Sequence, residues 1–130
     1  MDNVKTHKKA SVKLIGKPIE IFEGKKATAE LLATKEMTVD ASGLVHGGFT
    51  FGLADYAAML AVNHSNVVLA SAQVKFAAPV KQGETMIAEA VVIKNEGRKN
   101  EVNVNVRIGE RLVFTGTFIC YILEKHVLSK

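Results

Sequence analysis

At 130 residues, with 48% hydrophobic and 23% charged side chains, the chain suits one domain with one core and lacks the composition of a disordered protein. No apolar run is long enough to span a bilayer, and the lysine-bearing start MDNVKTHKKAS has no apolar stretch behind it, so neither a membrane anchor nor a secretory leader is expected. The net charge of +4 is concentrated in residues 1–26, which hold seven lysines against Asp2, Glu20 and Glu23 and leave ten basic and ten acidic residues elsewhere.

Residues 1–25 read as a basic N-terminal arm with one possible short strand, Ile19-Glu20-Ile21-Phe22. The arm lacks interleaved aromatics and a helix-turn-helix pattern, so a solvated, partly frayed terminus is expected rather than a nucleic-acid contact. Residues 26–130 read as a single domain. From Lys26 to Val39 the apolar Ala27, Ala29, Leu31 and Ala33 alternate with Thr28, Glu30 and Thr34, which is the period of a strand. The loop DASGLVHGG then opens the run GGFTFGLADYAAMLAV, enough for about four helical turns and apolar on nearly every face. The helix should end near Asn63-His64-Ser65-Asn66.

Four strand-like runs follow: Val67 to Val80, Glu84 to Lys94, the alternation of Val102, Val104, Val106 and Ile108, and Arg111 to Leu123. Pro79 and Gly83, Asn95-Glu96-Gly97 and Gly109-Glu110 separate them as turn signals. The order predicts a strand, a long buried helix and a four-strand antiparallel meander: an α+β architecture whose sheet curls around one central helix. That helix needs more cover than one sheet provides, which points to a second subunit. Cys120, the single cysteine, lies in an apolar run and reads as a buried structural thiol in a reducing, cytoplasmic compartment.

Between Asp40 and Lys75 the only charged side chain is Asp55, in the middle of the apolar helix. A carboxylate there costs several kcal/mol unless it is paired, hydrogen-bonded or protonated. A helix needed only for the core would carry Ala or Leu at that place. Gly47 and Gly48 open the same helix, where the first amides have no internal partner and the positive end of the dipole faces outward. Lacking side chains, they let a ligand oxygen reach those donors, although a sharp turn out of the loop is the structural alternative. Eight residues of helix set Gly47 and Asp55 about 12 Å apart along the axis. One carbonyl therefore meets both only if they come from two subunits, their helices antiparallel across a two-fold axis.

The segment HGGFTFGLADYAAMLAV resembles the central-helix signature of hotdog-fold acyl-CoA thioesterases, especially the phenylacetate-pathway type. FAAPVKQGE and EGRKNEV are similar to two further stretches of that family, and the likeness runs from about Lys26 to Leu123. It implies the hotdog fold, and Asp55 as nucleophile or general base with the Gly47 amide polarising the thioester carbonyl. Asp40 falls where relatives usually place Asn or Gln, and a second hotdog branch uses an Asp in a similar context, so it is a second candidate carboxylate or a loop residue. His46 and Gly48 are candidate substrate contacts, as are Ser71 and Gln73, either of which could orient a water. Lys75, Lys81, Arg98 and Lys99 are candidates for the coenzyme A phosphates.

These readings converge on an acyl-CoA thioesterase working as a homodimer, or as a dimer of dimers. Coenzyme A would belong to the substrate, with no separate cofactor and no metal, because the His, Asp and Cys residues show no ligand spacing. Two rivals share the fold. One is a domain that senses acyl-CoA without cleaving it, whose known representatives tend to carry an amide in place of the carboxylate. The other is a hydratase or dehydratase, whose His-plus-acid pairing and proline-rich helix start are not visible here.

Overall fold

The computed structural model describes residues 3–129. A one-turn helix α1 (Val12–Ile15) precedes strands β1 (Lys17–Phe22) and β2 (Lys26–Leu32). A 3-10 turn (Lys35–Met37) then leads to the long helix α2 (Gly47–Val62). Strands β3 (Val67–Phe76), β4 (Thr85–Glu96), β5 (Lys99–Ile108) and β6 (Arg111–Ile122) follow. All six strands form one antiparallel sheet in the order β1-β2-β4-β5-β6-β3. One sheet wrapped on one long helix is the α+β hotdog arrangement.

The four strands after α2 are not a simple meander. β4 pairs with β2, and β3 lies at the far edge against β6. Residues 77–84 between β3 and β4 are a crossover rather than a hairpin, a distinction that the turn residues Pro79 and Gly83 do not carry. Register shifts at Leu69/Ser71 and Val92/Lys94 mark irregularities that help the sheet curl toward α2.

The alternation seen in sequence becomes one buried face. Ala27, Ala29 and Leu31 of β2, Met86, Ala88 and Ala90 of β4, and Val102, Val104 and Val106 of β5 join α2 in the core. The four alanines let the helix axis approach the sheet closely, and a larger side chain at any of them would overpack it at about 1–3 kcal/mol. From Leu53 to Val62 every helix residue is buried except Asp55. No helix among the described residues is long and apolar enough to cross a membrane.

The N-terminal arm is not a frayed tail in the described residues. Asn63, at the C-terminal end of α2 with φ +52° and 2% exposure, accepts from the Lys5 amide (2.9 Å). Its amide group donates to the Asn3 carbonyl (2.9 Å) and to Glu23 Oε1 (3.2 Å). Thr6 is buried, and the His7 ring lies 5.8 Å from that of Tyr56. Asparagine tolerates the left-handed conformation that ends a helix, so one residue both caps α2 and fastens the arm.

Candidate active site

Gly47 and Gly48 are the first two residues of α2, and His46 caps the helix without a side-chain hydrogen bond. The Phe49 amide donates to the His46 carbonyl (3.1 Å), and the Gly47 and Gly48 amides before it precede the first bond of the helix and are taken by no side chain. Neither glycine has a positive φ, so backbone freedom does not explain them. Close approach does. A Cβ on Gly47 would lie 3.1 Å from Phe76 Cε1, and one on Gly48 would lie 2.9 Å from the His46 ring. The glycines make room for two rings that flank the helix start. His46 is exposed and also meets Phe49 edge-on at 6.2 Å.

Asp55 sits on the one open strip of α2. At 100° per residue, Gly48, Phe51, Gly52 and Asp55 fall within about a quarter-turn arc, and each retains exposure. A Cβ on Gly52 would meet nothing within 4 Å. Asp55 Oδ1 is nevertheless buried without a hydrogen-bond partner. Burial raises its pKa from 3.8 to about 6, and burial rather than repulsion from Asp40 is the cause. The charge of Asp55 reaches Cys120 on the inner face of β6, whose thiol is pushed up to about 12, first by its own burial and then by Asp55. That thiol is inert as a nucleophile, in keeping with a structural cysteine.

Asp40 is exposed in the loop before α2, where its Oδ1 accepts the amides of Ser42 (3.0 Å) and Leu44 (3.2 Å). Its carboxylate shapes its own loop. Ser71, Gln73 and Lys75 lie on β3 opposite Ile119, Thr117 and Thr115. Alternation from the buried Phe114 and Phe118 puts them on the sheet face turned away from α2. There Gln73 and Lys75 line a polar groove of about 540 Å³ with Asn103 and Asn105. Within one subunit, Ser71 and Gln73 therefore stand across the sheet from Asp55 and orient no water at it. Arg98, in the β4–β5 turn, is paired with Glu124 (2.7 Å), and Lys99 follows it. Lys99 pairs with Tyr121 and Phe76 with Phe114, so these cations lie about 24 Å along β6 from the Gly47 end. Lys81 lines a pocket of about 380 Å³ beside Arg111 and Glu84, close to the helix start.

The sequence did not single out Phe76, which stands over Gly47 and lines a pocket of about 410 Å³ with Val45, Thr50, Ala77, Ala78, Pro79, Val80 and Val113. Its inward place in the β3 alternation was readable. Its meeting with the helix start was not, because that depends on β3 crossing to the far edge.

A buried helix with one half-open carboxyl and uncapped glycine amides, held in a curled antiparallel sheet, defines a hotdog-fold domain. Residues 42–115 match the model of the thioesterase superfamily, and the chain belongs to that family. It is 48% identical over 122 residues to methylthioribose-1-phosphate isomerase of Aquifex aeolicus, covering 93% of this chain but 26% of that protein. It is 31% identical to transcription factor FapR of Caldanaerobacter subterraneus over 90% of this chain and 58% of FapR. The chain thus spans less than two thirds of these curated relatives. Among solved structures it is similar to PH1136 from Pyrococcus horikoshii, with TM-score 0.94 and 56% identity over 96% of this chain and 95% of that one. It also resembles a mutant of the phenylacetic acid degradation protein PaaI from Thermus thermophilus, with TM-score 0.76 and 28% identity over 85% and 95% of the two chains.

Proposed function

We propose that this protein hydrolyses acyl-CoA thioesters at sites shared between two subunits. The observation that carries the reading is Asp55: a half-open carboxyl with an unpartnered buried oxygen on a helix that is otherwise core. With its pKa raised to about 6 it is ionised at neutral pH yet close enough to take and return a proton, as a general base must. The thioester carbonyl would rest against the Gly47 amide. Asp55 of the partner subunit would then either take a proton from the water that attacks the carbonyl carbon and return it to the departing coenzyme A thiolate, or attack that carbon itself, expelling the thiolate and leaving a mixed anhydride that water then hydrolyses to the free acid.

Assembly follows from the same geometry. Gly47 and Asp55 are about 12 Å apart along one axis, so one subunit cannot apply both to one carbonyl. The open strip of Gly48, Gly52 and Asp55 offers a second helix a close approach. Strand β3, an edge strand with Val74 and Phe76 exposed, offers a backbone for pairing with a second copy. The match to the thioesterase superfamily supports hydrolysis. The name of the Aquifex relative describes a protein of which this chain matches 26%, so it assigns no isomerase chemistry to this domain.

The likeness to a transcription factor, a protein not named as an enzyme, favours as second reading the sensing domain, which would bind an acyl thioester and not cleave it. Thiol release from an acyl-CoA panel decides between them. Hydrolysis by the wild type that is lost in Asp55→Asn supports the first reading. Tight binding without thiol release supports the second.

A further inference from the structure

We infer that Phe76 sets the size of acyl group that reaches the Gly47 amide. Phe76 ends β3, and its ring lies so close to Gly47 that an added Cβ would be 3.1 Å from Cε1. An edge-to-face contact with Phe114, 5.2 Å between centroids at 80°, holds the plane of the ring. Phe76 is 54% exposed in the single subunit, so it does not fill that subunit's core, and its place at the end of edge strand β3 sets it beside both the Gly47 amide and the proposed partner. It is a wall rather than filler.

The space it walls is apolar. Of the lining side chains only Thr50 carries a polar atom, and that hydroxyl donates to Met86 Sδ at 3.4 Å. No lining side chain is charged. Such a pocket suits a hydrocarbon group better than the amide-bearing arm of coenzyme A, whose polar groups would lose water without side-chain partners. Its volume of about 410 Å³ accommodates a group of ring size or somewhat more, given that an apolar cavity of about 150 Å³ holds benzene. Replacing the phenyl ring by a methyl group would open the Gly47 side of the pocket.

The inference takes its substrate from the thioesterase reading, and its test separates the two. Wild type, Phe76→Ala, Phe76→Leu and Phe76→Trp are compared by kcat/KM on acetyl-, butanoyl-, hexanoyl- and decanoyl-CoA, and by Kd for the corresponding non-hydrolysable thioether analogues. Phe76→Ala should raise the decanoyl-to-butanoyl ratio about tenfold or more, Phe76→Leu less, and Phe76→Trp should lower it, since single methylenes in apolar pockets discriminate at least that strongly. Equal changes across all chain lengths, or none, overturn the inference, because a residue serving the coenzyme A arm or the fold alone would act that way. Circular dichroism and gel filtration identify any variant that misfolds or dissociates, and Phe76→Leu then carries the comparison. If the wild type cleaves nothing, hydrolysis falls while the analogue affinities still report on Phe76.

Discussion

Replacing Asp55 by Asn should abolish most activity and at the same time stabilise the protein, by an amount that depends on pH. In the fold the Asp55 carboxyl titrates near 6 rather than 3.8, because burial penalises its charge. At about 1.4 kcal/mol per tenfold change in acidity, that difference is about 3 kcal/mol at most. The raised pKa means the native state prefers the neutral acid. Well below pH 3.8 the acid is neutral in both folded and unfolded chains and costs nothing extra. Between pH 4 and 6 the unfolded chain ionises first, so stability falls as pH rises, and above 6 the loss is complete. Asparagine keeps the shape and carries no charge. Urea unfolding at matched protein concentration should therefore find Asp55→Asn equal to wild type near pH 3.5 and more stable by about 1–3 kcal/mol at pH 8. A gain independent of pH, or no gain at pH 8, would falsify the account of a carboxyl strained by burial.

The same titration should shape catalysis: kcat/KM should rise through about pH 6 to a plateau, measured by thiol release, and a profile flat from pH 5 to 8 would count against Asp55 as base. Asp40→Asn should keep at least about a third of wild-type activity, because an amide oxygen can still accept from Ser42 and Leu44, whereas Asp40→Ala should cost about 1 kcal/mol in thermal unfolding. A hundredfold loss in Asp40→Asn would instead make it a second catalytic carboxylate. Asn63→Ala should destabilise by about 2–3 kcal/mol and speed proteolysis of the arm, since its side chain holds Lys5, Asn3 and Glu23 together. An unchanged cleavage pattern would show that the arm is fastened elsewhere.

The central helix was legible from sequence because its signals were local: two glycines, an apolar run and one misplaced charge. The strands were legible for the same reason, as Ala27, Ala29 and Leu31 or Val102, Val104 and Val106 alternate visibly. Strand order was not, because β3 and β4 differ from a hairpin by a crossover that local turn residues do not record. That error carried into the site. Only the observed pairing of β3 with β6 puts Gln73 and Lys75 on the outer face and Phe76 over Gly47. Charge in the arm marks exposure, whereas its attachment runs through backbone groups held by the buried Asn63 side chain and through scattered single residues, Val4, Thr6 and His7, that form no periodic pattern. The glycines were recognised for their lack of side chains, but the rings that fill the space come from His46 beside them and from a strand distant in sequence.

A shared site is tested most directly by combining two different defects in one dimer. Gly47→Pro removes the proposed carbonyl donor, and the backbone accepts it at the first position of the helix after His46 at φ −62° and ψ 129°, while its added Cβ, 3.1 Å from Phe76 Cε1, shifts the half-exposed Phe76 ring of the same defective site. Alone it should lose at least about 10² in kcat, the effect of removing one oxyanion donor, with the displaced Phe76 ring adding to the loss. Asp55→Asn should be inactive alone. The two chains, co-expressed with different tags and purified through both, give mixed dimers holding one doubly defective site and one intact site, so about half the wild-type activity per dimer should return. Mixed dimers as inactive as their parents would contradict the shared site.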